Sequence, residues 1–330
     1  MFNNYKFLFL FTLIYGLILT CSSNSWMIIW MGLEINLLSF IPLINNSLNS
    51  MSTEASMKYF ITQAISSTII LFYIIMLLKF NSISNIMINS AILTKMGAAP
   101  FHFWMPEVIE GLNWMNTFIL LTIQKIAPMT IISYNMNKTF FIIIIIMSCM
   151  MISSILGINQ ISIRKILAYS SINHMGWMLS SLFLNYYLWM IYWMIYTMIS
   201  LNIIYMLNNY NIFYMKQMFT LMTKNKLIQL MFSLNFLSLG GLPPFIGFFP
   251  KWITIQMMVK ENFSVLSLFM IIMTLITLFY YIRLTFSIWM LSNNEMNLKL
   301  YNKNNSFMFM FFNMIMILSL FLITPTFSYF

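Results

Sequence analysis

Two stretches decide the fold: Gly97-Ala-Ala-Pro100-Phe101-His102-Phe-Trp104-Met-Pro106 and Gly241-Leu-Pro-Pro244-Phe245-Ile-Gly-Phe248-Phe-Pro250. At a constant offset of 144 residues, a glycine, a proline, a phenylalanine, an aromatic residue and a second proline coincide. Each stretch interrupts a long apolar run. Proline removes a backbone donor and clashes with the preceding turn, so both runs should be helices broken near their middle. In lipid such irregular backbone is tolerated only where protein or a water-filled cavity surrounds it.

The solvent follows from composition. Of 330 residues, 61% are hydrophobic and 7% charged, against about 25% charged in an average soluble domain. A soluble chain of this size must cover itself with polar groups, and this one has too few. The net charge of +10 does not indicate nucleic acid, because the lysines sit singly between apolar runs rather than on one basic face. Two cysteines (Cys21, Cys149) and two histidines (His102, His174) are too few for a disulfide scaffold, an iron–sulfur cluster or a haem site, so no cofactor bound by this chain is expected. Heavy use of Met and Phe with no Asp resembles an AT-rich mitochondrial coding habit.

A spanning helix needs about 20 mostly apolar residues. The sequence predicts an all-α polytopic membrane protein with eleven spans, near 4–21, 25–44, 59–78, 84–104, 113–133, 139–157, 166–184, 187–207, 229–257, 263–290 and 307–325. Met1 to Asn24 reads as the first span rather than a cleaved signal, because apolar runs continue to Phe330. Nine lysines and arginines fall on one side of this topology (Lys6, Lys58, Arg164, Lys165, Lys216, Lys224, Lys226, Lys299, Lys303) and three on the other (Lys79, Lys138, Lys260). The positive-inside rule then puts the N-terminus inside and the C-terminus outside.

The two breaks fall in spans 4 and 9, five spans apart, so the copies run in opposite directions across the bilayer. The expected organisation is a single membrane domain over 1–330: an inverted repeat of two five-helix units, 1–135 and 136–292, with a C-terminal helix in 293–330. Corresponding interrupted spans in two halves point to a transport site.

Charged residues inside the spans point the same way. Glu34 lies halfway along Ser25–Ile44, and Lys125 halfway along Asn113–Ser133. Lys95 precedes the first break and Lys251 follows the second. An ionised residue at the bilayer centre costs about 2.5–3.5 kcal/mol on insertion scales, so retaining four suggests function. Burial disfavours an ammonium and a nearby carboxylate favours it, so such lysines can exchange protons as their neighbours' charge changes. For Lys95 and Lys251 the bland alternative is a side chain that snorkels to the interface. Arg283 is expected to do so. His174, in Ala168-Tyr-Ser-Ser-Ile-Asn-His174, is a possible relay or a hydrogen-bonded structural residue.

Several strings carry a family resemblance: Trp30-Met-Gly-Leu-Glu34-Ile-Asn, Ser52-Thr-Glu-Ala-Ser-Met-Lys58-Tyr-Phe, Lys95-Met-Gly-Ala-Ala-Pro-Phe-His-Phe-Trp-Met-Pro-Glu107, Gln124-Lys125-Ile-Ala-Pro128, Arg164-Lys165-Ile-Leu-Ala-Tyr-Ser-Ser-Ile-Asn-His174-Met-Gly-Trp and Ser238-Leu-Gly-Gly-Leu-Pro-Pro-Phe-Ile-Gly-Phe-Phe-Pro-Lys251-Trp. Over about residues 20–260 the chain resembles the subunit 2 family of mitochondrial NADH:ubiquinone oxidoreductase (respiratory complex I), antiporter-like proton-pumping subunits. The resemblance implies that Glu34 and Lys95 are a paired glutamate and lysine beside the proton uptake path. It makes Lys125 the central lysine and Lys251 the lysine toward the outer exit. It implies the shortened animal form, insect-like in composition, without three N-terminal helices of bacterial relatives. It places the chain in the mitochondrial inner membrane, N-terminus in the matrix, beside subunits 4L and 4, accessory subunits and membrane lipids. NADH, FMN, iron–sulfur clusters and ubiquinone would then be used by the complex as a whole, in other subunits. The competing readings are a self-contained secondary cation/proton antiporter and a structural scaffold whose charges only lock helices together.

Overall fold

The structure is a computed structural model, described here for residues 4–45, 49–76, 84–135, 140–221 and 226–290. The expected eleventh span and the topology markers Lys79, Lys138, Lys224, Lys299 and Lys303 lie outside the described residues. Those residues form helices α1 (Asn4–Ser22), α2 (Trp26–Ile44), α3 (Ser50–Met76), α4 (Ser84–Met96), α5 (Trp104–Gly111), α6 (Trp114–Leu121), α7 (Ile126–Tyr134), α8 (Phe140–Ile158), α9 (Ile163–Leu184), α10 (Tyr186–Tyr210), α11 (Met215–Leu221), α12 (Lys226–Gly240), α13 (Phe248–Lys260) and α14 (Ser264–Met290). The architecture is all-α. The chain divides into two compact units, Met1–Ile145 and Ile146–Phe330.

Among the described residues, seven helical segments are long and apolar enough to cross a membrane. The other three expected spans among the described residues are the two broken ones, α4–α5 and α12–α13, and α9. Nineteen of the 22 residues of α9 are buried, so it faces protein rather than lipid and can carry Ser170, Ser171, Asn173, His174, Ser180 and Ser181. The four serine hydroxyls donate to carbonyls three residues back, which satisfies them without water. Outward faces are apolar, as at Phe11, Phe140 and Val265.

In the first unit α1 and α2 touch backbone to backbone. A Cβ on Gly16 would stand 3.0 Å from the Gly32 carbonyl and 2.6 Å from Asn36 Oδ1. Small residues at a crossing allow this approach, and here it seats Asn36 inside the unit. Trp30 Nε1 donates to Ser67 O at 3.2 Å, and Asn116 Nδ2 to Leu43 O at 2.6 Å.

The two breaks repeat in atomic detail. Gly97 and Gly241 both take left-handed backbone, with φ of +71° and +83°. Ala98 N–H donates to Leu93 O at 3.0 Å, and Leu242 N–H to Leu237 O at 3.4 Å. This is one helix-ending motif, with glycine at the residue that must turn left-handed, and the 144-residue offset holds for donor and acceptor alike. Across the first break, Trp104 Nε1 donates to Thr94 O at 3.0 Å and ties α5 back to α4.

The expected limits shift in several places, and the fourth span runs on through α5 to Gly111. The third span begins at Ser50, nine residues earlier than the apolar run, because α3 extends through Glu54 and Lys58. The connection expected over 208–228 contains the short helix α11. The fifth span is also broken: one turn of 3-10 helix, Ile123–Lys125, separates α6 from α7. Pro128 has no N–H for the Gln124 carbonyl, which accounts for an interrupted ladder at that turn.

Candidate functional site

In the first unit α4 ends at a glycine two residues after Lys95, so that lysine stands where the helix opens. The 3-10 turn does the same for Lys125. Both are buried, Lys125 at 1% and Lys95 at 8% exposure. They line one cavity of about 20 Å³ together with Asn36, Tyr59, Gln63 and Gln124, enough for a water molecule. Gln63 Nε2 donates to the Lys95 carbonyl at 3.2 Å, one of the carbonyls orphaned by the break. Asn36 Oδ1 and Gln124 Nε2 are buried with no partner among the described residues. An acceptor, a donor and two amines around so small a space form a lining that suits an ordered water.

Glu34 stands elsewhere. It is half-buried on the side of α2 that carries exposed Met31 and Leu38, where full burial was expected. It lies within coulombic range of Lys95 without direct contact, and it does not line the cavity.

In the second unit Lys251 sits one turn into α13, 6% exposed. Its side chain folds back onto the end of α12, where Nζ donates to Gly240 O at 2.9 Å and Leu239 O at 3.2 Å. These carbonyls are the negative end of the helix dipole. The absent side chain of Gly241 makes room, since a Cβ there would stand 2.9 Å from Lys251 Cδ and Nζ. The indole of Trp177 lies beside the ammonium, 6.0 Å from Nζ to the ring centroid.

His174, on the same helix as Trp177, shares a hydrogen bond of 2.9 Å between Nδ1 and the Tyr192 hydroxyl. Its ring packs on Tyr196 with centroids 4.9 Å apart. A cavity of about 10 Å³ joins His174, Tyr192 and Tyr196 to Ser238 and Leu239 at the break and Pro250 beyond it. Arg283 Nη2 donates to Gln160 O at 3.1 Å, in the connection between α8 and α9.

The structure therefore brings Lys95 and Lys125 together, leaves Glu34 outside their cavity, and sets Lys251 and His174 within the other unit. Sequence reasoning passed over Asn36, Gln63, Gln124, Trp177 and Tyr192. The amides did carry a signal, since a Gln or Asn inside an apolar span needs a partner in the protein. Trp177 and Tyr192 carried none, because their neighbours are far away in sequence.

Fold and site together define a class: a polytopic helical membrane protein with lysines buried at interrupted helices. Residues 23–277 match the family model described as NADH:quinone oxidoreductase/Mrp antiporter, transmembrane. The chain is 50% identical to NADH-ubiquinone oxidoreductase chain 2 of Anopheles gambiae over 308 residues, covering 91% of this chain and 90% of that one. To the protein of the same name from Aedes aegypti it is 48% identical over 329 residues, covering 96% of each. Among solved structures it resembles a chain of respiratory complex I from Thermus thermophilus with bound Aureothin, with a TM-score of 0.86 at 19% identity, covering 98% of this chain and 80% of that one. It also resembles a chain of the Mrp complex from Dietzia sp. DQ12-45-1b, with a TM-score of 0.72 at 14% identity, covering 86% and 59%. At those identities the structures speak for the fold alone. This chain belongs to the NADH:quinone oxidoreductase/Mrp antiporter transmembrane family, and within it to the NADH-ubiquinone oxidoreductase chain 2 group.

Proposed function

We propose that this chain carries protons across the mitochondrial inner membrane as a membrane-arm subunit of NADH:ubiquinone oxidoreductase. Lys95 and Lys125 hold and pass protons in the first unit and Lys251 does so in the second. Glu34 biases Lys95 by its charge, and His174 is a further relay group. The chain contributes no redox step. NADH oxidation through FMN and iron–sulfur clusters, and ubiquinone reduction, belong to other subunits. Its neighbours are subunits 4L and 4 with accessory subunits and membrane lipids, and its N-terminus faces the matrix.

The observation that carries this reading is the cavity shared by Lys95 and Lys125. Two amines facing one water-sized space can exchange a proton through a single molecule. Two like charges there repel, so one holds its proton best when the other has lost it. A scaffold would gain nothing from such an arrangement, since apolar residues of similar volume stabilise a core as well or better.

Lys125→Met removes the central amine and keeps its length. In the assembled complex, proton uptake into inner-membrane vesicles per NADH oxidised should fall severalfold or coupled turnover should stop. Full pumping by an assembled variant would leave only the scaffold role. Cation/proton exchange by the purified chain alone, reconstituted in vesicles, would favour a self-contained antiporter.

A further inference from the structure

A buried lysine ordinarily keeps its charge through a carboxylate. Lys95 has Glu34 within coulombic range. Lys251 is equally buried, and among the described residues its ammonium contacts two backbone carbonyls and one aromatic face. We propose that Trp177 is a positioning residue for Lys251, its indole face serving where a counter-ion would otherwise stand. The proposal rests on Lys251 being a proton carrier in the reading above.

Three observations carry it. First, the Leu239 and Gly240 carbonyls approach the ammonium within hydrogen-bond distance, and Trp177 supplies π density at cation–π range from another helix. The dipoles are fixed, so they favour the cation without a titrating anion that would trap the proton. Second, the indole N–H of Trp177 is buried and has no partner among the described residues. What the side chain gives its surroundings is therefore its ring. Third, Trp177 lies one turn after His174 on α9, and Leu239 is common to the carbonyl cradle and to the cavity that His174 lines. The indole thus holds the lysine against Leu239, a residue that also walls the small cavity lined by His174, Tyr192 and Ser238.

The test uses the assembled complex in inner-membrane vesicles, with NADH-driven proton uptake per NADH oxidised as the readout. Trp177→Phe keeps a π face and should retain most uptake. Trp177→Leu keeps apolar bulk without one and should lower uptake roughly tenfold, between the size of an exposed and of a desolvated cation–π contact. On a Lys251→Met background, Trp177→Leu should change nothing further. Equal uptake by the Phe and Leu variants would overturn the inference, and so would a full additional loss on the Lys251→Met background. Wild-type uptake by Lys251→Met itself would instead overturn the role given to that lysine. If Trp177→Leu does not assemble, Trp177→Met takes its place. Failure of both to assemble, with or without Lys251, would assign Trp177 to packing and overturn the inference.

Discussion

Lys58 Nζ lies 2.7 Å from Glu107 Oε2 and 2.8 Å from Glu54 Oε1. The first contact ties α3 to α5, the segment beyond the break in the fourth span. Both partners are open to solvent, so the pair adds little to stability. Its significance is positional: the start of α3 and the end of the broken span reach the same level. Positive-inside counting assigns Lys58 to the matrix side, and α5 returns to that side only if α4 and α5 together make one crossing.

That topology has a direct check at two exposed residues of the second unit. In a cysteine-free background, Lys216→Cys should react with an impermeant maleimide only from the matrix face. Lys260→Cys should react only from the intermembrane-space face. Labelling of both from one face would mean that one span too many or too few has been counted between them.

Gly241 is the second place where geometry makes a prediction. Gly241→Ala puts a side chain at a left-handed φ, a backbone cost of about 1–2 kcal/mol. It also puts a methyl group where Lys251 Cδ and Nζ now lie. Gly97→Ala has a similar backbone cost, and its methyl group would meet Met105 Sδ and Cβ at 3.1–3.2 Å and Trp104 Cζ2 at 3.3 Å, but no lysine. Both variants should assemble with similarly lowered thermal stability. Gly241→Ala should then lose several times more proton uptake per NADH than Gly97→Ala. Equal losses would show that displacing the lysine does not matter.

Much of this was legible in the residues. A proline and a glycine inside an apolar run announce a break wherever they stand, and the 144-residue offset pairs the breaks before any coordinates exist. The turn at Lys125 was less legible. Pro128 was in view, but the surrounding run is apolar enough to read as a continuous span, and a proline in one turn does not say whether the ladder bends or opens. The burial of α9 was hidden for the opposite reason: its serines lower its apolarity, and only tertiary packing shows that it does not face lipid. Glu34 lies midway along its helix but is half-buried where burial was expected. Position along a helix comes from the sequence, whereas its azimuth depends on which neighbours close over it. Trp177 beside Lys251 joins α9 to α13, and no periodicity reports such a contact.

Glu34 is only half-buried on α2. It and Lys95 interact through space rather than by contact, so the coupling should be electrostatic and moderate. Glu34→Gln keeps the shape and removes the charge, and Lys95→Met removes the amine. If the carboxylate acts by favouring the charged lysine, Glu34→Gln matters only while Lys95 is present. Proton uptake by the double variant should then equal that of Lys95→Met alone, with a coupling free energy of about 0.5–3 kcal/mol, as interacting sites give. High salt should leave that coupling nearly intact if the intervening medium is protein, because buried charges are poorly screened. Strictly additive losses would mean two independent sites, and Glu34 would then owe its effect to something outside this unit. The cavity of Lys95 and Lys125 would survive that outcome, but the proposed control of proton uptake by Glu34 would not.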